Sequence, residues 1–583
     1  MRRDLFSYIF VLIFLFLIPA CTTRPAAPPK PVIKAVTLST QQVARYEPVE
    51  LVVDFQAEYT NPFDARQVAL DAIFKGPDGR EWFVPGYWDA DKSWRIRFTP
   101  SAEGQWQYNL SVSTGQNTSK SWTGSFMVFP LKILNEKTIK VTSSQNHGWL
   151  QVASWVKPDF SPRYLAYQDG TPFYGLGHCD AFTVMSHGYD PSTGFKLFDD
   201  MHQAGENMLV YWPVYSNPFF NNSYDSYSLP DLKILDLVVE DARRKGIYLV
   251  FTIWDHNELR DKTHPWGDGL WERQNGFHRL GDINSFFTGD EAWAWQENLY
   301  RYFIARWGYS TSIGLWMTVS EIDGTNAGAQ TDSWLARVND YFVKHDPYRH
   351  PTTASMAGDK WWPAGNQVVD VPQVHAYQYK NDPVYTGPSI AAWTQKMWEG
   401  EKKPNFVGEF GTPNSGNNPE LFHNGIWAGL ASGAAITPME WNDSSQWGRM
   451  TPELYAQMAH LANFVADLPL AKLNPALLEL DPAAESKGTS AWGIGGKDWG
   501  ILWVQDITGA GYPIETVRKF IATPVSGVTV QVKGLQPGTY LVKPYDTWQG
   551  VYLPSFEVTS DGDNLLVKLP DFKGDLALKL EKK

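Results

Sequence analysis

Residues 160–466 repeat one step: an amphipathic stretch ends at glycine or a turn and is followed by an apolar run. In "DLKILDLVVEDARRKGIYLVFTIWDHNE", Leu232, Leu235, Val238, Val239 and Ala242 fall on one helical face. Gly246 follows as the stop, and Ile247–Trp254 reads as a strand. A strand that is apolar throughout is buried on both faces, as in a parallel sheet covered by helices. "FKLFDDMHQAGENMLVYWPVY" repeats the step with Gly205 as its stop, "EAWAWQENLYRYFIARWG" leads to "IGLWMTVSE", and "SWLARVNDYFVKHDP" leads to "PTTASM". "PFYGLGHCD" supplies a first strand, and "VVDVPQVHAYQY", "PNFVGEF" and "AAITPMEW" a sixth, seventh and eighth. Eight strands with helices between them predict an α/β fold, a (β/α)8 TIM barrel.

The flanks have a different rhythm. Residues 34–130 hold short alternating runs such as "VELVVDFQAEY", "SWRIRFTP" and "GQWQYNLSVS", broken by turn residues, which predict an N-terminal β-sandwich. Residues 131–159 connect it to the barrel, and 467–583 ("WGILWVQD", "GVTVQVKGL", "GTYLVKPYD") predict a C-terminal β-sandwich.

The first 20 residues carry two Arg, an apolar run too short for a membrane span, and then Ala20-Cys21. This resembles a bacterial lipoprotein signal, which implies lipidation of Cys21, a membrane anchor and an outer-membrane or surface location. The Pro-rich stretch 21–33 reads as a stalk that holds the body off the membrane. The only other cysteine is Cys179, so lipidation leaves no disulfide to form. A net charge of −13 argues against a nucleic-acid partner, and a monomer is expected. With 27 Trp and 27 Tyr, the chain has more rings than cores usually need, which fits either aromatic-rich β-domains or a surface that stacks on sugar faces.

In a (β/α)8 barrel the chemistry sits at the C-terminal ends of the strands. Those ends carry Asp180 (with His178) on strand one, Trp212 and Tyr215 on strand two, and Trp254, Asp255 and His256 on strand three. Ser320 and Glu321 follow strand four, His375 and Tyr377 strand six, Glu409 strand seven, and Glu440 and Trp441 strand eight. The set is acidic and aromatic with no Lys or Arg, which suits a neutral polyhydroxylated ligand better than a phosphate. Strands four and seven face each other across a barrel mouth, so Glu321 and Glu409 can flank a glycosidic bond. One must hold a proton for the leaving oxygen while the other stays ionised.

"WMTVSE", "VHAYQY", "FVGEFG" and "MEWND" resemble the strand-four, -six, -seven and -eight motifs of the clan A retaining glycoside hydrolases, cellulase- and mannanase-like. "SPRYLAYQDGTPFYGLG" is similar to the start of apiosidase-like barrels. The resemblance implies Glu321 as acid/base, Glu409 as nucleophile and a strand-six aromatic supporting the nucleophile. It also implies Trp441 as the floor of the reacting sugar's subsite and an immunoglobulin-like module in front of the barrel. Ser320 stands where the clan usually has Asn, and no Arg ends strand two. Substrate contacts are expected from Asp180, Trp212, Trp254, Asp255, His256, Ser320, His375, Tyr377, Glu440 and Trp441, with no cofactor and no metal. The chain has no HExxH, no CxxC and no GxxxxGK[ST]. The alternative from another class is a surface lipoprotein whose barrel captures glycan without cleaving it.

Overall fold

The computed structural model describes residues 29–91, 93–115, 117–130, 146–180, 184, 188–213, 223–377, 382–411, 418–441, 450–482 and 488–583. Cys21 and the leader, most of the Pro-rich stretch, residues 131–145 and Tyr215 lie outside the described residues.

The N-terminal part is two sheets around one apolar core. One sheet orders Val32–Leu38, Val49–Gln56, Trp94–Phe98 and Tyr87–Trp88. The other contains Gln42–Ala44, Trp122–Phe129, Gly104–Thr114, Ala69–Lys75 and Glu81–Pro85. Alternation decides which side chains go in: Trp106, Tyr108, Leu110 and Val112 face the core while Gln105, Gln107 and Asn109 face out. Tyr309 and Tyr348 of the central region join this core, and the Tyr348 hydroxyl accepts the Thr99 N–H at 2.8 Å. The N-terminal part is therefore fused to its neighbour by shared packing.

The central region follows the helix–strand rhythm of the sequence. Its strands and first helices run β1 (Gly177–Asp180), α1 (Lys196–Gln203), β2 (Met208–Tyr211), α2 (Leu229–Lys245), β3 (Tyr248–Thr252) and α3 (Asp290–Trp307). β4 (Ile313–Val319), β5 (Thr352–Ala354), β6 (Gln373–His375) and β7 (Phe406–Glu409) complete the strands. Helix α2 buries Leu232, Leu235, Val238, Val239 and Ala242 and stops at Gly246, whose φ of 70° only glycine adopts freely. β1 to β5 form one parallel sheet in chain order, and β6 pairs with β7 in parallel. Residues beyond β7 return to the beginning, through parallel bridges of Phe410 to Glu440 and of Gly175 to Ile436. The sixth strand is shorter than "VVDVPQVHAYQY" predicts: Pro363–Val368 is helical and Pro372 has no N–H to pair, so only Gln373–His375 remain.

The C-terminal part orders Ala476–Leu477, Thr489–Gly495, Trp499–Asp506, Asp575–Lys582, Gly538–Asp546 and Val551–Tyr552 in one sheet, backed by Leu480–Pro482, Thr529–Lys533 and Asn564–Lys568. It also holds a helix, Ile514–Ala522, that strand-like patterning did not suggest. Among the described residues no helix is long and apolar enough to cross a membrane.

Candidate active site

Every β4 residue is buried, and Ser320 follows the strand, its N–H bonding to the Trp254 carbonyl at 2.9 Å. Glu321 then turns sharply, with φ 53° and ψ 56°, in the left-handed region that non-glycine residues avoid. Such a residue costs on the order of 1–3 kcal/mol and persists only where its surroundings hold it. Ser355 does the holding: its Oγ accepts the Glu321 N–H at 2.9 Å and its carbonyl accepts the Ile322 N–H at 3.0 Å.

β7 delivers Glu409 to meet it. The Tyr377 hydroxyl donates to Glu409 Oε2 at 2.9 Å, and His375 Nδ1 lies 2.8 Å from Glu321 Oε1 and 3.1 Å from Glu409 Oε2. One oxygen of each carboxylate and one His375 nitrogen lie within 4.8 Å of one another. The side chains are 15% and 8% exposed for Glu321 and Glu409, and His375 is wholly buried.

The charges in this trio are strongly coupled. Burial works against a proton on His375, but Glu409 and Glu321 overcome it and push the imidazole up to about 10. Burial also tends to raise Glu321, yet its hydrogen bond to His375, with His256 and Lys360 beyond, brings it below the ordinary carboxylate value. Glu409 goes the other way: burial, reinforced by Glu321, outweighs His375 and Tyr377 and raises it. This order reverses the one expected from an acid at Glu321 and a nucleophile at Glu409. The reason is positional, since Glu409 is the more enclosed and Glu321 takes the shorter bond from the imidazole. The same three groups are the one cluster among the described residues with ligand atoms close enough for a metal ion. A cation there would compete with a proton for the His375 Nδ1 lone pair.

Around the trio the sequence-derived residues divide. His256 Nε2 lies 3.5 Å from Glu321 Oε2, and Arg260 donates to its Nδ1, which leaves the Nε2 proton facing the carboxylate. Asp255 is buried, bridges to Ser320 and accepts the Asn257 N–H at 2.9 Å. Beside it Glu258 is wholly buried, and burial together with the charge of Asp255 raises its carboxyl well above the usual range. Trp212 and the half-buried Trp441 meet edge to face at 5.0 Å, and the Trp441 N–H bonds to the Phe410 carbonyl at 2.7 Å. Glu440 is buried beside Gly411, and Asp180 is buried at the end of β1.

Trp254 departs from expectation. Its indole N–H donates to Tyr300 of α3 at 2.9 Å, and its ring packs edge-on against Phe277 and Phe286. It belongs to the layer between strand and helix, one residue out of phase with the mouth, as period-2 alternation requires. Ser355, Arg260 and Trp266 were not foreseen. A tryptophan between Pro265 and Gly267 in a polar loop was the available signal for Trp266.

A family model described as a domain of unknown function, DUF5060, matches residues 42–113. None of the curated proteins compared with the chain matches it. Among solved structures, a candidate glycoside hydrolase from Bacteroides vulgatus ATCC 8482 is similar with a TM-score of 0.63 at 19% identity, covering 93% of this chain and 100% of that one. A family 5 glycoside hydrolase from the same organism gives 0.47 at 14% identity, covering 75% and 93%. A family 39 enzyme from Bacteroides cellulosilyticus WH2 gives 0.39 at 12% identity, covering 94% and 100%. The first of these establishes the fold as one found in a candidate glycoside hydrolase.

Proposed function

We propose that the chain is a retaining glycoside hydrolase, with Glu321 as acid/base and Glu409 as nucleophile on a (β/α)8 barrel flanked by two β-sandwiches. One observation carries this reading: one oxygen of each of two carboxylates, at the ends of strands four and seven, lies within 4.8 Å of the other, with a buried imidazole bridging them. In retaining enzymes the carboxyl groups stand about 5–5.5 Å apart, whereas inverting ones need about 6.5–9.5 Å to seat a water. A glycan-capturing protein gains nothing from holding two carboxylates against each other at a cost in desolvation and repulsion.

The protonation pattern suits the reaction once the trio is treated as a unit. With one proton among the three groups, the favoured form has His375 cationic and both carboxylates ionised. Moving that proton along the 2.8 Å contact to Glu321 Oε1 gives a protonated acid, a neutral imidazole and an ionised Glu409 at the same total charge. Glu409 then attacks the anomeric carbon, the bond to the leaving oxygen breaks, and that oxygen takes the proton from Glu321. Water, deprotonated by Glu321, attacks the same carbon and releases Glu409. The Tyr377 hydroxyl stabilises the Glu409 charge before attack and after release.

The substrate is a neutral oligosaccharide or polysaccharide, and Cys21 carries the lipid that anchors the enzyme. A reducing-sugar assay over a glycan panel tests the activity. Wild-type chain should release sugar from at least one glycan, and Glu409→Gln should lower the rate by several orders of magnitude. Cleavage undiminished in that variant contradicts the assignment. Cys21→Ser should move the protein out of the membrane fraction, and unchanged association contradicts the anchor.

A further inference from the structure

The loop after β3 carries an indole that the roles above leave unused. Trp266 is 45% exposed, yet its ring is closely held. It meets His256 edge to face at 5.5 Å and His264 at 5.8 Å, and the Arg260 guanidinium lies 5.7 Å from its centroid. A Cβ on Gly324 would stand 2.4 Å from the Trp266 ring, so glycine at that position is what lets the indole lie against the turn that carries Glu321. Arg260 ties both sides together, donating to His256 and, at 3.2 Å, to the Gly324 carbonyl. Since His256 Nε2 is 3.5 Å from Glu321, the exposed indole is one side chain removed from that carboxylate.

A large aromatic left in water and fixed by its neighbours is arranged for stacking at low entropic cost. Its side of the site identifies what stacks. Glu321 hands its proton to the leaving oxygen, so the group beyond that oxygen lies on the Glu321 side. The backbone N–H of Trp441 bonds to the carbonyl of Phe410, next to Glu409, so Trp441 is carried on the Glu409 side of the site. We propose that Trp266 is the platform for a sugar ring in the leaving group, making the substrate one whose departing part is itself a pyranose. This rests on Glu321 being the acid/base.

The test compares two substrates sharing one glycone: a β-linked trisaccharide and the corresponding glycosyl fluoride, whose leaving group has no ring. Glucose, mannose, xylose and galactose configurations are each tried with the full chain. Trp266→Ala should lose about tenfold more kcat/KM on the trisaccharide than on the fluoride, a factor worth about 1.4 kcal/mol, while Trp266→Phe recovers most of it. Equal losses on both substrates, or none on the trisaccharide, overturn the platform. The two readings fail separately. If wild-type chain cleaves neither substrate in any configuration, the hydrolase reading falls and the leaving-group role with it, and calorimetric titration with the same trisaccharides decides whether Trp266 is a sugar-stacking platform. Affinity about tenfold weaker in Trp266→Ala upholds it; equal affinity, or no binding by wild type, overturns it.

Discussion

Ser355 Oγ accepts the backbone N–H of Glu321 at 2.9 Å and so holds a glutamate in a left-handed conformation it would otherwise leave. Ser355→Ala removes that acceptor and lets the turn relax, which moves the carboxyl away from the leaving oxygen. Turnover of an unactivated glycan should fall about tenfold or more, since misplacement by about 1 Å is costly in a near-attack geometry. An aryl glycoside with a good leaving group, which needs little acid help, should lose less, and Ser355→Thr should keep most activity. Equal losses on both substrates in Ser355→Ala would point to general disruption instead.

His375 makes a pH prediction with a definite sign. Its imidazolium favours ionisation of both Glu321 and Glu409. His375→Asn removes that charge, so both carboxyls should hold protons to higher pH. The acidic and basic limbs of the kcat/KM profile should both move upward, with a lower maximum. Stability follows the same group. The folded value of about 10 lies above the ordinary histidine value, so the folded chain holds a proton the unfolded chain has released. That stabilisation is fully present below about 6.5 and is lost as pH rises through about 10. The wild-type melting temperature should therefore fall across this window more steeply than that of His375→Asn. Limbs that move downward, or parallel melting curves, contradict the imidazolium.

The helix-and-strand rhythm was legible because Gly246 and the almost wholly apolar β3 are local signals. The two glutamates were legible because a carboxylate rarely ends such a strand. Side-chain direction was less so. Trp254 follows β3 with nothing in its composition to say that it turns outward to Tyr300. The left-handed turn at Glu321 depends on Ser355, a contact between distant segments that no local pattern encodes. The order of the two carboxyls arises from the shared imidazole and from unequal burial, which exist only once the chain has folded.

Trp441 should contribute stacking to the reacting sugar's subsite. Trp441→Ala should lower kcat/KM about tenfold, with only a small change in melting temperature because the side chain is half-buried. A drop in melting temperature with unchanged kinetics would assign it to packing against Trp212.

Arg306 is fully buried and pairs with Asp236 at 2.8 Å and with Asp89 of the N-terminal sheets at 3.0 Å. Arg306→Ala takes one cationic partner from each carboxylate and leaves Asp89 with Arg95 and Asp236 with Arg97, so the cost should stay below the about 3–5 kcal/mol of a buried pair broken outright. Calorimetry should show a melting temperature lowered by several degrees, with the N-terminal and central parts still unfolding together. An unchanged midpoint would mean that the seam is held by its other ion pairs and the shared aromatic core without help from Arg306.

The central claim is that Glu409 forms a covalent glycosyl intermediate, and the anomeric form of the first product reports on this directly. Proton NMR, recorded during cleavage of a β-linked substrate and before mutarotation, should show the β-anomer appearing first. An α-anomer appearing first would mean single displacement by water, and would contradict the role given to Glu409.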